Sequence, residues 1–241
     1  MHHQSGVGHL GGNLSSLDAL LVVFHEVLGP DDRFLLSKGH SAGALYVALW
    51  SAGRLTGADL DTFHGDGTLL AGHPPANGLQ DVLFATGSLG HGLSLAAGTA
   101  LARRIAGQPG RTICLMSDGE WQEGSTWEAL IFACHHRLDQ LVVLVDHNGL
   151  QGFGSTADIA SMSPLWDRLG GFKADLRVID GHDLAALRGA MEAPTGPGPR
   201  IVMMRTVKGK GVSFLEGRMD SHYLPLNPER FAQAVAEIEA A

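Results

Sequence analysis

Thr112-Ile113-Cys114-Leu115-Met116-Ser117-Asp118-Gly119-Glu120 and Leu141-Val142-Val143-Leu144-Val145, the latter followed by Asn148-Gly149-Leu150, decide the fold. Each apolar run is short, continuous and largely aliphatic, as in a parallel strand buried on both faces. The intervening residues 123–137 read as a helix. A strand–helix–strand crossover in one sheet returns the second strand parallel to the first. Asp118 and Asn148, thirty residues apart, then emerge at the same carboxyl edge, where open α/β sheets bind ligands. A carboxylate, an amide oxygen and a nearby backbone carbonyl form a sparse hard-oxygen set. Such a set suits Mg²⁺ or Ca²⁺ that is also held by a ligand's phosphates.

Outward from this unit the pattern repeats. Leu17, Leu20, Leu21, Phe24, Val27 and Leu28 recur at helical spacing, so a helix is expected over 15–28, capped by Ser15 or Ser16 and ended by Gly29-Pro30. A strand at 33–37 and a helix at 40–52 follow, the helix stopped by Gly53. Thr56 caps a short acidic helix to residue 63, and 64–88 read as loop. An Ala-rich helix spans 92–105. Beyond the central unit, 152–162 read as loop, and Ser163-Pro164 opens a helix to about 169 with proline in its first turn. Strands at 177–179 and 201–204 flank a helix at 184–191 and a turn-rich connector at 194–199. Residues 208–227 read as loop, and a closing helix spans 228–239. Alternating strands and helices predict an α/β fold, a doubly wound and mainly parallel sheet with helices on both faces. No linker divides it, so one domain over 1–241 is expected.

Composition narrows the function. The chain has 241 residues, 44% of them apolar, which is ample for a core. Net charge is −8 and the 17 basic residues form no run, which disfavours nucleic acid. Cys114 and Cys134 are expected to be buried, reduced thiols, too few for a disulfide scaffold. No apolar run reaches bilayer length and no signal peptide is visible, so a cytoplasmic location is the expectation.

Five histidines fall in glycine-rich or polar loops: His9, His40, His73, His91 and His222. A lone loop histidine usually faces solvent. Several converging on one pocket could move protons near neutral pH. His135, His136 and His147 read as ordinary polar residues. Thr86-Gly87-Ser88-Leu89-Gly90-His91-Gly92 opens a helix, where glycines admit a ligand to the backbone and the helix dipole favours anions. It is not the dinucleotide fingerprint.

Asp118-Gly119, about thirty residues and then Asn148 together resemble the thiamine diphosphate motif, and the chain is similar to the amino-terminal half of a transketolase of the kind encoded as two chains. Ser117 stands where the motif has its first glycine, and serine is small enough to be expected at a strand end. The resemblance runs from Ser5 to about Glu239. It implies metal ligation by Asp118, Asn148 and the Leu150 carbonyl, with Mg²⁺ as the ion and Ca²⁺ or Mn²⁺ as substitutes. It implies cofactor contacts from His40, Gly87, Ser88, Leu89, Asp118, Gly119, Glu120, Asn148 and His222, with the Gly119 N–H against the diphosphate. His9 in Gly-Val-Gly-His-Leu-Gly-Gly, His40 in Ser-Lys-Gly-His, His73 in Gly-His-Pro and His222 after the Lys208–Gly211 loop match family histidines. His40 and His73 are thereby expected to hold the donor's hydroxyl end, and His9 and His222 to contact substrate and assist proton transfer. Glu123 is expected at a subunit interface.

In the resembled family the glutamate that activates the cofactor, the aromatic bed of its pyrimidine and the arginines for sugar phosphate lie in the following domain. An α2β2 heterotetramer with a separate carboxy-terminal subunit is therefore expected. A helix normally precedes the position of Met1, which suggests a truncated or misassigned start. The function expected is transfer of a two-carbon ketol unit from a ketose or ketose phosphate to an aldose. A synthase of the deoxyxylulose-phosphate type, joining a ketoacid to an aldehyde, shares the metal motif, but the set of His9, His40 and His73 favours ketol transfer. An inactive regulatory homologue is disfavoured by the intact Asp118/Asn148 pair, and a zinc hydrolase by the absence of His-Glu-x-x-His or paired-cysteine spacing.

Overall fold

The computed structural model describes residues 1–76, 78–192 and 196–240. In chain order, a short turn of helix, α1 (His2–Ser5), leads into α2 (Leu10–Val22), which continues through a π-type turn at Val23–Val27. Then come β1 (Arg33–Leu36), α3 (Ala42–Ser51) and α4 (Gly57–Leu60), the last closed by a capping box between Thr56 and Asp59. A long loop reaches α5 (Gly92–Ile105). The central unit is β2 (Thr112–Ser117), a 3-10 turn at Gly119–Gln122, α6 (Gly124–His135) and β3 (Leu141–His147). A small hairpin, β4 (Leu150–Gln151) and β5 (Gly154–Ser155), precedes α7 (Thr156–Ala160) and α8 (Leu165–Leu169). The chain ends with β6 (Asp175–Asp180), α9 (Leu184–Glu192), β7 (Arg200–Arg205), α10 (Asp220–Tyr223) and α11 (Pro228–Glu239).

β1, β2, β3, β7 and β6 lie side by side in that order, and every pairing is parallel. The continuous apolar runs are explained by burial on both faces. Phe34, Ile113, Leu115, Val142, Leu144, Val202 and Met204 point to one layer, packed with α2, α3 and α9. Leu35, Cys114, Met116, Val143, Val145, Ile201 and Met203 alternate with them and point to the other, packed with α5, α6 and α8. The edge strand β6 is largely exposed. The sheet delivers the carboxyl ends of β1, β2, β3 and β7 to one side, where Lys38, Asp118, Asn148 and Lys208 follow.

Several expectations change. α2 starts at Leu10, five residues before the expected start, and neither Ser15 nor Ser16 caps it. Both hydroxyls bond back to the Gly12 carbonyl, and Ser15 also reaches Asp146. Gly11 and Gly12, which look like breakers in sequence, are buried in its first turn. The stretch 152–162 is not all loop, since it holds β5, α7 and the turn of the hairpin. α10 interrupts 208–227, and Pro164 sits at the cap of α8 and not within its first turn. Cys134 is only half-buried, while Cys114 is fully buried, and both are free. The connector expected at 194–199 lies partly outside the described residues. No described helix is long and apolar enough to cross a membrane.

Close packing at the start of α5 gives a test. A Cβ at Gly92 would fall inside the contact radius of the Ser37 side chain, whereas one at Gly98, in the same helix, meets nothing within 4 Å. Gly92→Ala is expected to destabilise the chain by about 1–3 kcal/mol through overpacking. Gly98→Ala is expected to stabilise it by up to about 1 kcal/mol through helix propensity. Urea unfolding of the two variants checks the opposite signs.

Candidate functional site

The expected histidines do converge. His9 precedes α2 with a left-handed backbone, φ 66°. That conformation turns its amide to the His222 carbonyl at 2.8 Å and leaves its own carbonyl for the Asn13 backbone at 3.2 Å and the Asn13 side chain at 2.8 Å. Asn13 in turn accepts from Ala44 N at 2.6 Å and so locks α2 against α3. The His9 ring lies 5.9 Å from His40, 5.7 Å from His73 and 5.0 Å from His222, centroid to centroid. His40 and His222 are 5.7 Å apart.

Burial holds all four imidazoles below the ordinary histidine value. His9 is brought down to about 4 by burial and the nearby His73, and His222 to about 3 by burial and Lys208. His40 lies well below its usual value through burial and Lys38, and His73 is lowered by burial and His64. At neutral pH these rings are uncharged, each offering one donor and one acceptor. Lys208 Nζ stands 2.8 Å from His222 Nδ1. An ammonium has no acceptor, so Nδ1 is the bare nitrogen and Nε2 carries the hydrogen.

The histidines share a cavity of about 220 Å³ with Gly87, Leu89, Asp118, Gly119, Glu123, Asn148 and Leu150. Asp118 Oδ1 accepts from Gly119 N at 2.8 Å and Oδ2 from Gly149 N at 2.6 Å. Asn148 Oδ1 accepts from Leu150 N at 3.1 Å, and its amide donates to Asp146 at 3.3 Å. Asp146 is fully buried and paired with the fully buried Lys38. It also accepts from Ser15 at 2.6 Å and from Thr206. Burial alone would raise its carboxyl, but Lys38 and these donors more than offset that and hold it low.

Asp118 has no such partner. Burial and the neighbouring Asp146 charge push it up to about 7. It is a 5% exposed carboxylate whose ionised form is under-compensated. A carboxylate in that state gains from any cation brought beside it. Among the described residues no cluster of three His, Cys, Asp or Glu side chains is arranged to hold a metal.

Two expected cofactor residues are not in the cavity wall. Glu120 is fully buried and turned away, because the 3-10 turn at Gly119–Gln122 folds it inward. Its carboxylate accepts from Ser37 Oγ, from Ser117 N at 2.7 Å, from Ser117 Oγ at 3.0 Å and from Gly90 N at 3.1 Å. It is a bracket between the loop carrying Gly87–Gly90 and the strand ends, and Ser117 is one of its donors. Ser88 faces a separate depression beside Phe84, His91 and Leu95. Lys208, Lys38, Asp146, Gln122, Gln151 and Tyr223 were not anticipated. A charge beside glycine at a strand end, as in Ser-Lys-Gly-His and Lys-Gly-Lys-Gly, was the available signal for the two lysines.

The strain at Asp118 has a measurable sign. Its folded carboxyl titrates higher than in the unfolded chain, so stability falls as pH rises from about 4 to 7 and the charge is forced into the fold. Asp118→Asn should therefore gain on the wild type between pH 4.5 and pH 8, by about 2–4 kcal/mol in the metal-free chain. Urea unfolding at the two pH values checks it, and added Mg²⁺ with thiamine diphosphate should reverse the gain.

Residues 3–238 match the family model described as transketolase, thiamine diphosphate binding domain. The chain is 38% identical to the 6-deoxy-6-sulfo-D-fructose transketolase subunit of Clostridium sp. (strain MSTE9), over 97% of this chain and 89% of that one. It is 34% identical to an apulose-4-phosphate transketolase subunit of Phocaeicola vulgatus, over 98% and 88%. Among solved structures, the transketolase of Campylobacter jejuni superposes with a TM-score of 0.87 at 28% identity, and that of Leishmania mexicana with 0.89 at 27%. In both cases 98% of this chain is covered but only 40% and 38% of the other, so the chain spans well under half of those enzymes. The inward-facing histidines, the Asp118/Asn148 strand ends and these likenesses together place the chain in the transketolase family, as its thiamine diphosphate binding domain.

Proposed function

We propose that the chain is a single domain over 1–241, the diphosphate-binding subunit of a two-chain, cytoplasmic transketolase that moves a two-carbon ketol unit from a ketose or ketose phosphate to an aldose. The observation that carries this is one cavity holding an under-compensated carboxylate at the tips of adjoining strands and four neutral imidazoles. Relatives of nearly the same length are themselves named as transketolase subunits, which supports a separate partner chain, and the assembly we propose with it is α2β2.

Asp118, Asn148 and the Leu150 carbonyl would hold Mg²⁺, or Ca²⁺ or Mn²⁺ in its place, with the Gly119 amide and Lys208 facing the diphosphate. Bound there, thiamine diphosphate supplies the nucleophilic carbon and the electron sink. The chain supplies orientation and proton handling. His40 and His73 hydrogen-bond the donor's hydroxyl end. His9 takes and returns protons at the donor and acceptor hydroxyls, its neutral ring keeping one acceptor, while His222, whose Nδ1 already meets Lys208, assists through the hydrogen on Nε2. Glu123, exposed on the cavity rim, meets a neighbouring subunit.

The test is reconstitution with the partner chain, Mg²⁺ and thiamine diphosphate. Ketol transfer from a ketose donor is expected, and turnover of pyruvate alone would overturn the reading in favour of a synthase. His73→Ala should lower kcat/KM for the ketose by about 10²–10⁴-fold. It should leave cofactor affinity, followed by calorimetry, near the wild-type value.

A further inference from the structure

Asp18, His182 and Val207 are joined by hydrogen bonds just outside the cavity. Asp18 lies on α2, His182 in the loop from β6 to α9, and Val207 in the segment after β7 that carries Lys208. His182 Nδ1 is 2.7 Å from Asp18 Oδ2, and Val207 N donates to His182 Nε2 at 2.9 Å. A backbone amide only donates. Nε2 is therefore bare, Nδ1 carries the hydrogen, and Asp18 accepts it. The carboxylate selects the tautomer that Val207 requires. The imidazole side chain is only 12% exposed, although the Val207 end of the chain of bonds is open to solvent.

One face of α2 receives this whole segment. Gly11, Ser15 and Asp18 are spaced i, i+4, i+7 and stack along that face. The Gly11 carbonyl accepts from Gly209 N at 2.9 Å, Ser15 bonds Asp146, and Asp18 orients His182. The backbone is thus tied to α2 on both sides of Lys208, at Val207 through His182 and at Gly209 directly. Thr206 anchors the start of the segment through its hydroxyl on Asp146 and its amide on the His147 carbonyl at 3.1 Å.

We propose that Asp18 and His182 are positioning residues of the cofactor site: a tautomer-locked imidazole fixes the backbone at Val207, and through it the reach of Lys208 and the pose of His222. Neither lines the cavity, so their influence passes through residues 206–209. The inference rests on the function proposed above, because it concerns the cofactor that Lys208 and His222 would meet.

Three variants test it. Asp18→Asn puts an amide against Nδ1 and favours the Nε2–H tautomer, which turns a donor on the Val207 amide, as Asp-to-Asn changes do beside other oriented histidines. His182→Leu removes the acceptor, and His182→Gln restores one near Nε2. In the full chain, hydrogen–deuterium exchange at the Val207 and Gly209 amides should rise about fivefold or more in D18N and H182L and fall back in H182Q, with β3 unmoved. In the complex with the partner chain, the Kd for thiamine diphosphate with Mg²⁺ should rise about fivefold or more in D18N and H182L, and D18N/H182L should be no weaker than H182L. Unchanged exchange, raised exchange with unchanged affinity, or an additive double variant each overturns the proposal. Should H182L fail to fold, D18N at its one-third exposed position decides alone. A wild-type complex that binds no thiamine diphosphate sinks the proposed function instead, and the exchange arm still decides the latch.

Discussion

Everything on the carboxyl side of the sheet is organised by one dry ion pair, Lys38 with Asp146. The two groups come from β1 and β3, on either side of β2, and neither is reached by solvent. Away from water their attraction is barely screened, and deleting either partner would leave a buried charge at a cost of about 3–5 kcal/mol. The pair is satisfied only because other segments close on it. Asp146 gathers Ser15 from α2, Thr206 from the end of β7 and the amide of Asn148. Lys38 donates to the Gly12 carbonyl at 3.0 Å. Four pieces of chain distant in sequence are thus fixed to within a hydrogen bond of one another, and these pieces carry His9, His40, Asn148 and Lys208.

The same pair creates the chemistry of its neighbour. Lys38 neutralises Asp146 but only partly relieves Asp118, which keeps the repulsion of Asp146 on top of its own burial. One carboxylate is spent on architecture and the other is left needing a cation. Two acids on adjoining strands thereby take opposite electrostatic roles, set by which of them meets the lysine.

Four of the five strands of the sheet were legible because they are apolar on both faces, and its helices because glycine and proline punctuate them. α5 and α11 fall on the residues expected, each with a clear start signal. α2 did not, since Gly11-Gly12 reads as a breaker in isolation and becomes necessary only once Ser221, Lys208 and His40 press against it. β4, β5 and α7 are too short to show a period. The histidines and the Asp118/Asn148 pair stood out through their glycine-rich settings and their resemblance to a known motif. Lys38 and Asp146 did not, because a single charge beside an apolar run says nothing of a partner 108 residues away. Glu120 lies outside the cavity wall for a local reason. Its place two residues after Asp118 suggests the cofactor, but the 3-10 turn reverses its side chain into the core.

The neutrality of the histidine cluster bears on which half of a substrate this chain can recognise. Four uncharged rings suit the hydroxyls of a sugar, which need donors and acceptors in close alternation. They do not suit an anionic terminus. Among the described residues lining the cavity, Lys208 is the only lysine or arginine, and it lies against His222 with Asp118 and Asp146 acting on it. Burial brings it down to about 8, and Asp118 and Asp146 only partly offset that. On the proposed function, a phosphate or sulfonate at the far end of a sugar meets no cation in this wall. Recognition of that group then falls to the partner chain, and this chain's own selectivity is confined to the carbonyl, the first hydroxyls and the shape of the rim at Tyr223 and Phe153.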